Sequence, residues 1–178
     1  TVQEAIDNKL AYVTEDRKGN GLILSKSIKM NTTLANMSGI SNGKVIDTDK
    51  EYAVAEEYRK KLKTKCPTVE QNVGNLSGGN QQKVLLAKWM FAEPDILILD
   101  EPTRGIDVGA KYEIYCIIND LVAAGKSVIM ISSELPEVLG MSDRIYIMNE
   151  GRFVGEVSGE EATSELIMSR IVKSGKGE

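Results

Sequence analysis

Apolar residues in this chain are grouped in two ways: in short uninterrupted runs and in stripes at helical spacing. The runs at residues 96–100 and 127–131 are almost wholly apolar, a pattern typical of strands buried on both faces in a parallel sheet. A third run at residues 10–13 predicts another short strand. The charged, glycine-containing residues 14–21 that follow it predict an exposed loop.

Apolar residues three and four positions apart predict three helices in the middle of the chain. The first begins with a capping-box pattern at Thr48–Glu51, extends to about residue 65 and ends before Pro67. The second has Ser77 as its N-cap, and the third has Asp107. Shorter helices are predicted within residues 27–37 and at 134–139, a strand pair at 144–148 and 153–157, and a final helix at 159–172.

The alternation of strands and helices from residue 96 to 148 indicates an α/β fold with a mostly parallel sheet. The helical stretch that precedes it forms a separate subdomain in this interpretation. We therefore expect three regions: part of the core at residues 1–26, a helical subdomain at 27–92, and the rest of the core with a C-terminal hairpin and helix at 93–178.

Composition and charge narrow the classes of function. The 178 residues suffice for one domain with a real core, and 42% hydrophobic with 27% charged residues is ordinary for a globular protein. The net charge of −4 argues against a nucleic-acid partner, whose binding surface is basic. The apolar runs are too short to cross a membrane, and no secretory signal is visible. Cys66 and Cys116 lack metal-ligand spacing, which favours reduced thiols.

The segment Leu76–Gln81 reads Leu-Ser-Gly-Gly-Asn-Gln and begins the second central helix. Its two glycines allow backbone amides to approach a phosphate closely, and the Ser77 hydroxyl adds a donor. The plainer alternative is a serine-capped helix start that is softened by glycine. The second motif, one helix further on, favours phosphate binding.

That second motif consists of two carboxylates, Asp100 and Glu101, which end an apolar run and precede Pro102. Ligands of α/β proteins bind at the carboxyl ends of buried strands. There, one acid can hold Mg²⁺ through water, and the next can orient or deprotonate an attacking water. The alternative is a pair of solvated acids at the start of a turn, and the apolar strand before them argues against it.

Together the two segments resemble the signature and Walker B motifs of ATP-binding cassette (ABC) ATPases. The runs YVTEDRK, LSGGNQQK, DEPTRGIDVGAK and SSELPEV all resemble one branch of that family. It is the duplicated ATP-binding subunit of bacterial monosaccharide importers of the ribose, galactose, xylose and arabinose type. The resemblance covers nearly the whole chain and is to the second, C-terminal cassette.

The resemblance implies ATP and Mg²⁺ as cofactors and assigns roles to both motifs. In this family two cassettes pair head to tail, and each signature contacts the γ-phosphate of the ATP that the partner binds. Asp100 is then the magnesium-side residue, Glu101 the general base, and Asp107 an acid of the D-loop that links the paired sites. The residues implied to face the partner's nucleotide are Leu76, Ser77, Gly78, Gly79, Asn80 and Gln81.

Two positions depart from the family pattern. Ser133 stands where a histidine normally contacts the γ-phosphate, and the chain contains no histidine. A hydroxyl donates a hydrogen bond but cannot carry the charge of an imidazolium. Glu15 stands where a glutamine normally senses Mg²⁺ and water. We therefore expect this cassette's own site to hydrolyse ATP slowly or not at all.

The sequence contains no Gly-x-x-x-x-Gly-Lys-Ser/Thr loop, the Walker A motif that cradles phosphate. Gly125-Lys126-Ser127 matches its end, but Asp120 stands where the first glycine belongs. Because the first residue is Thr1 and this loop is missing, we interpret the chain as a piece of a longer polypeptide that holds ATP poorly by itself. A complete domain with a trimmed N-terminus is the alternative.

The resemblance also implies partners and a location at the cytoplasmic face of the membrane. The partners are the first cassette of the same subunit, a transmembrane permease that contacts about residues 22–37, and, indirectly, a periplasmic or extracellular sugar-binding protein. Two alternatives stay open. One is a soluble ABC ATPase acting on nucleic acid, which the acidic charge disfavours, and the other is a non-hydrolytic module that only completes a partner's site.

Overall fold

The computed structural model describes residues 1–175, which divide into two compact units at residues 131 and 132. The predicted division into functional regions at 1–26, 27–92 and 93–178 stays a prediction. The first unit contains α1 (Val2–Asp7), β1 (Leu10–Val13), a π-helical turn (Arg17–Gly21), α2 (Ile28–Thr33), a 3₁₀ segment (Leu34–Ile40), β2 (Ser41–Asn42), β3 (Val45–Ile46), α3 (Thr48–Lys61), a 3₁₀ turn (Val73–Asn75), α4 (Gly78–Met90), β4 (Ile96–Asp100), α5 (Val108–Ala123) and β5 (Ser127–Ile131).

Strands β1, β4 and β5 form a parallel sheet in the order β1-β4-β5. The register pairs Val13 with Leu99, and Asp100 with Ile131. The carboxyl ends of all three strands therefore meet at one edge of the sheet. This confirms the α/β architecture with a parallel sheet that the strand–helix alternation predicts.

The sheet is buried on one face, which corrects the expectation that its strands are covered on both. Val13 and Leu99 lie on the buried face and have no exposed surface. On the opposite face Ile129 and Ile131 are 52% and 47% exposed. The reason is that α4 packs against β1 and α5 packs against β5, whereas no helix of this unit covers the opposite face of β5. A run of apolar residues does not distinguish one covered face from two.

Helix α4 contacts β1, α2 and α5, and it is almost wholly buried. Lys83 in its second turn is buried too, because its ammonium group has two partners. It donates to the carbonyl oxygen of Lys63 at 3.0 Å and lies 2.8 Å from the carboxylate of Glu113. Transferring a charge from water into the protein interior is unfavourable unless the charge is paired in this way. Lys83 thus ties α4 to the segment after α3 and to α5.

The boundaries of α3 differ from the prediction at both ends. Its N-cap is Asp47, whose carboxylate accepts the amide of Lys50 at 3.0 Å, one residue before the predicted capping box. The helix ends at Lys61 instead of about residue 65, because Lys63 has a left-handed backbone with a φ of 52°. Helix α1 is not predicted by the apolar pattern, and a capping box at its first turn starts it.

The second unit contains α6 (Leu135–Met141), β6 (Arg144–Asn149), β7 (Arg152–Ser158) and α7 (Ser164–Gly175). β6 and β7 pair antiparallel, as predicted, around a two-residue turn in which Glu150 and Gly151 both have positive φ. The last helix begins at Ser164, later than the predicted residue 159. The unit's buried core consists of Ile145, Ile147, Val157 and Ile167.

Within residues 1–175, none of the helices has both the length and the apolar composition needed to span a lipid bilayer.

Candidate functional site

Helix α4 begins with backbone amides that are free to bind an anion. Ser77 is its N-cap, and the first helical hydrogen bond runs from the amide of Gln81 to the carbonyl oxygen of Ser77 at 2.9 Å. The N–H groups of Gly78, Gly79 and Asn80 have no acceptor among the described residues. Because the helix dipole adds positive partial charge at this end, the tip favours a phosphate or carboxylate.

The hydroxyl of Ser77 does not cap the helix. Its Oγ accepts a hydrogen bond from Nδ2 of Asn80 at 2.9 Å, and it makes no cap bond to a backbone amide. The Oδ1 atom of Asn80 in turn accepts the backbone amide of Lys65 at 2.8 Å. The side chain of Asn80 thus joins the signature serine to the connection between α3 and α4.

Both glycines of the tip are closely packed. A Cβ atom on Gly79 would lie 2.5 Å from Cβ of Ala110, in the first turn of α5. A Cβ atom on Gly78 would lie 2.9 Å from Nη2 of Arg17. The Cβ of Ala110 is fixed to the main chain, so position 79 requires glycine, whereas the end of the Arg17 side chain could move to admit a Cβ at position 78.

The tip borders a polar cavity of about 290 Å³. Its two carboxylates already have partners. Asp107 Oδ1 accepts the amide of Ala110 at 3.0 Å, which confirms Asp107 as the cap of α5, and Glu113 pairs with Lys83. The bond from Lys83 holds the pKa of the Glu113 carboxyl below its usual range. The lining, which suits a phosphate group better than an apolar ligand, includes Lys65, Ser77, Gly79, Asn80, Asp107 and Glu113.

The flanking residues of the signature are placed inside the protein. Leu76 is 8% exposed and Gln81 is 4% exposed. The Gln81 side chain donates from Nε2 to the carbonyl oxygen of Leu76 at 3.2 Å. These contacts fix the turn before α4, and direct contact of the two residues with a nucleotide stays a prediction.

The predicted acidic pair lies at the carboxyl end of β4. The Oδ2 atom of Asp100 accepts a hydrogen bond from the hydroxyl of Tyr12, on the neighbouring β1, at 2.5 Å. This bond to the carboxylate raises the pKa of the Tyr12 phenol. Glu101 follows with a φ of 46°, held by a bond from its amide to the carbonyl oxygen of Ile131 at 2.9 Å. Unusual backbone angles of this kind cluster at functional sites.

The chemistry of this pair fits magnesium that arrives with a nucleotide. In the described part of the chain, no cluster of three or more acidic, histidine or cysteine side chains could hold a metal by itself. Mg²⁺ at nucleotide sites uses one or two carboxylates, and phosphate oxygens and waters complete its shell. Asp100 and Glu101 supply hard oxygen ligands of that kind at adjacent positions.

A third group of contacts joins residues 15–17 to the loop after β4. The carboxylate of Glu15 forms an ion pair with the guanidinium of Arg104. Arg17 donates from Nη1 to the carbonyl oxygen of Arg104 at 3.0 Å. The Nε atom of Arg17 is buried without a partner among the described residues, and loss of solvent lowers the pKa of this guanidinium. The carboxylate at position 15 is therefore already paired with a cation.

The structure brings the signature residues together with Arg17, Lys65 and Asp107, and it joins Asp100 to Tyr12. The contacts of Tyr12, Arg17 and Lys65 are not predicted from the sequence. The contact of Tyr12 with Asp100 could be predicted only by placing both residues on the same face of the sheet, and that placement requires the register of the strands. Ser133 belongs to the second unit, and its role in place of a histidine stays a prediction.

Comparisons with known proteins identify the family. Residues 2–104, more than half of the chain, match the family model described as ABC transporter. An L-arabinose transport ATP-binding protein of Geobacillus stearothermophilus is 63% identical over 97% of this chain, and a xylose import ATP-binding protein of Geobacillus kaustophilus is 57% identical over 93%. A ribose import ATP-binding protein of Clostridium tetani is 54% identical over 96%. The chain spans only 34%, 33% and 34% of the lengths of these three relatives.

Solved structures share the fold. An ATP-binding cassette of an ABC transporter superposes with a TM-score of 0.76 at 18% identity, over 94% of this chain and 70% of that one. A nucleotide-free ATP-binding cassette gives a TM-score of 0.75 at 19% identity, over 98% of this chain and 71% of that one. The family match, the parallel sheet and the two motifs at their expected places lead to one conclusion: the chain belongs to the ABC transporter family.

Proposed function

We propose that this chain is part of the ATP-binding subunit of a monosaccharide importer, and that the tip of α4 binds the γ-phosphate of an ATP held by a partner cassette. The observation that carries the proposal is the set of donors at the tip. The amides of Gly78, Gly79 and Asn80 have no acceptor among the described residues, and Ser77, Gly79 and Asn80 line a polar cavity. The relatives named for arabinose, xylose and ribose transport support a monosaccharide as cargo.

The tip acts by hydrogen bonding and charge. Backbone amides at a helix start stabilise the negative oxygens of a phosphate without moving, so they are preorganised for the charge that develops as the phosphoryl group leaves. The carboxylates of Asp107 and Glu113 line the same cavity. The amide of Ala110 at the start of α5 offsets the charge of Asp107, and the ammonium of Lys83 offsets that of Glu113. Asp107 also links this tip to the start of α5, as a D-loop acid would.

The chain's own acidic pair has a separate role. Asp100 would hold Mg²⁺ through a water molecule, and Glu101 would accept the proton of the attacking water. Bound magnesium neutralises charge on the phosphates. Glu15 is paired with Arg104, and Ser133 supplies a hydroxyl in place of an imidazolium, so we propose that this second site turns over slowly. In the limiting case the cassette is a non-hydrolytic module that completes the partner's site.

The segment at residues 22–37 supports docking to a permease at the cytoplasmic face of the membrane. Large apolar side chains in it are exposed: Ile23, Met30, Leu34 and Met37 are 45%, 42%, 41% and 39% exposed. Met30 and Leu34 are four residues apart, so they lie on one side of adjoining helical segments. Exposed apolar patches mark protein contacts. A sugar-binding protein outside the membrane would act through that permease.

Steady-state ATP hydrolysis by the full-length subunit, assembled with its permease, tests whether the tip of α4 and the chain's own acidic pair contribute unequally to turnover. Ser77→Arg fills the tip with a large side chain, and we expect it to abolish turnover. Glu101→Gln removes the base of the second site only, and we expect most turnover to remain. Asn119→Ala, an exposed position on α5, is the control for substitution as such. Equal losses in Ser77→Arg and Glu101→Gln contradict the proposal.

A further inference from the structure

The side chain of Asn80 has only one orientation that satisfies its neighbours. The backbone N–H of Lys65 can only donate, so the Asn80 atom that lies 2.8 Å from it must be the oxygen. The amide nitrogen of Asn80 therefore faces Oγ of Ser77, 2.9 Å away. A fixed main-chain donor thus decides which end of Asn80 meets the serine.

This orientation controls the proton of the Ser77 hydroxyl. A hydroxyl has one proton to donate and two lone pairs that accept. Since Nδ2 of Asn80 fills a lone pair, the proton of Ser77 is left for another acceptor. The same bond holds Oγ away from the backbone amides of α4, which a serine at an N-cap normally accepts. Those amides are thereby left for a ligand as well.

We propose that Asn80 is a positioning residue: it turns the Ser77 hydroxyl into a donor toward the bound phosphate and keeps that hydroxyl from capping α4. The proposal rests on the phosphate-binding role proposed above for the tip. It assigns the side chain of Asn80 an action through Ser77, fixed by the amide of Lys65, in place of a direct contact of that side chain with the nucleotide.

The proposal predicts opposite effects of Asn80→Ala on stability and on turnover. Without Asn80, Oγ of Ser77 is free to accept an amide of the first turn, so the helix gains an ordinary cap. The new cap offsets the loss of the exposed bond from the Lys65 amide, so we expect the midpoint of thermal unfolding to stay level or rise. We expect kcat for ATP hydrolysis to fall roughly three- to tenfold, the factor that one neutral hydrogen bond supplies, with KM changing less than kcat.

A double-mutant cycle on the full-length subunit with its permease tests this directly. The variants are Ser77→Ala, Asn80→Ala and the two combined, with Asn119→Ala as the matched control for loss of an exposed amide. We expect Ser77→Ala to lower kcat by tenfold or more. If Asn80 acts through Ser77, adding Asn80→Ala to Ser77→Ala lowers kcat by less than about twofold further.

The cycle separates failure of the inference from failure of the proposed function. Full turnover in Ser77→Ala overturns phosphate binding at the tip, and the positioning role with it. Two results overturn the positioning role alone, provided that Ser77→Ala lowers kcat. In one, Asn80→Ala lowers kcat by the same factor with and without Ser77→Ala. In the other, Asn80→Ala by itself leaves kcat unchanged. The carboxylate in Asn80→Asp still accepts the Lys65 amide, but it also accepts the proton of the Ser77 hydroxyl. We therefore expect kcat to fall at least as far as in Asn80→Ala. Full activity of Asn80→Asp also overturns the positioning role.

Discussion

The guanidinium of Arg17 donates to the main-chain carbonyl oxygen of Arg104 across 3.0 Å, and its other terminal nitrogen lies against Gly78. The side chain of Arg104 pairs with Glu15. Residues 15–17 therefore hold Arg104, in the loop after β4, by both its main chain and its side chain. Arg17 also contacts the start of α4. Residues 15–17 thus contact both the tip and the loop.

Arg17 places a positive charge at the positive end of a helix, and its Nε is buried without a partner within residues 1–175. Without a bound anion, that charge contributes little to stability. Arg17→Met keeps the aliphatic packing and loses the bond to the Arg104 carbonyl, but it also removes the buried Nε that has no partner among the described residues. We therefore expect the free energy of unfolding to change by less than about 1 kcal/mol and ATP turnover in the full-length subunit to fall. Arg17→Ala also loses packing, and we expect a loss of about 1 kcal/mol or more. Equal destabilisation by Met and Ala in thermal unfolding would show that the charge itself holds the segments.

The contact of Gly79 with Ala110 predicts a compensating pair. Gly79→Ala forces two Cβ atoms to 2.5 Å, and neither is at the end of a flexible side chain. We expect a loss of about 2 kcal/mol, in the usual range for overpacking. Ala110→Gly on its own costs up to about 1 kcal/mol in helix propensity. Combined with Gly79→Ala, it removes the clash, so the double variant must be more stable than Gly79→Ala alone. A double variant less stable than either single change contradicts this packing.

The pair of Lys83 and Glu113 predicts sensitivity to acid. Lys83 lowers the pKa of Glu113, so the paired carboxylate stabilises the fold above the unfolded value of about 4.3. That contribution is lost as the pH falls through the lower folded pKa. We expect Glu113→Gln to reduce the free energy of unfolding by up to about 1 kcal/mol at neutral pH. Lys83 loses its counter-charge but keeps its bond to a carbonyl, and solvent screens the pair because the Glu113 side chain is 42% exposed.

The difference in the free energy of unfolding between wild type and Glu113→Gln should then shrink below about pH 4. Thermal unfolding at a series of pH values measures it, with the exposed Glu160→Gln as the matched control. A difference that is independent of pH would assign the stabilisation to packing instead of charge.

Exposed apolar residues at 22–37 predict the permease contact. Leu34→Glu places a charge in that segment, and we expect it to reduce co-purification of the subunit with its permease while ATP binding persists. Val45→Glu is the matched control, since Val45 is 70% exposed and lies outside the segment. Equal loss of assembly in both variants would contradict docking at this segment.

Local features of the chain could be predicted from sequence, and long-range ones could not. The N-cap positions of Ser77 and Asp107 are recognisable because the helices that they begin follow directly in sequence. The partner of the Ser77 hydroxyl was missed because the orientation of Asn80 depends on Lys65, fifteen residues earlier. The contact between Arg17 and Arg104 spans 87 residues and leaves no periodic signal. The open face of the sheet was missed because coverage depends on where helices pack.

The most direct test of phosphate binding by the tip is a structure of the full-length subunit, assembled with its permease and trapped with a non-hydrolysable ATP analogue. The account predicts that the γ-phosphate held by the first cassette lies within about 3.5 Å of the Gly79 amide and the Ser77 hydroxyl. A trapped nucleotide whose phosphates all lie well beyond hydrogen-bond reach of these two groups contradicts it.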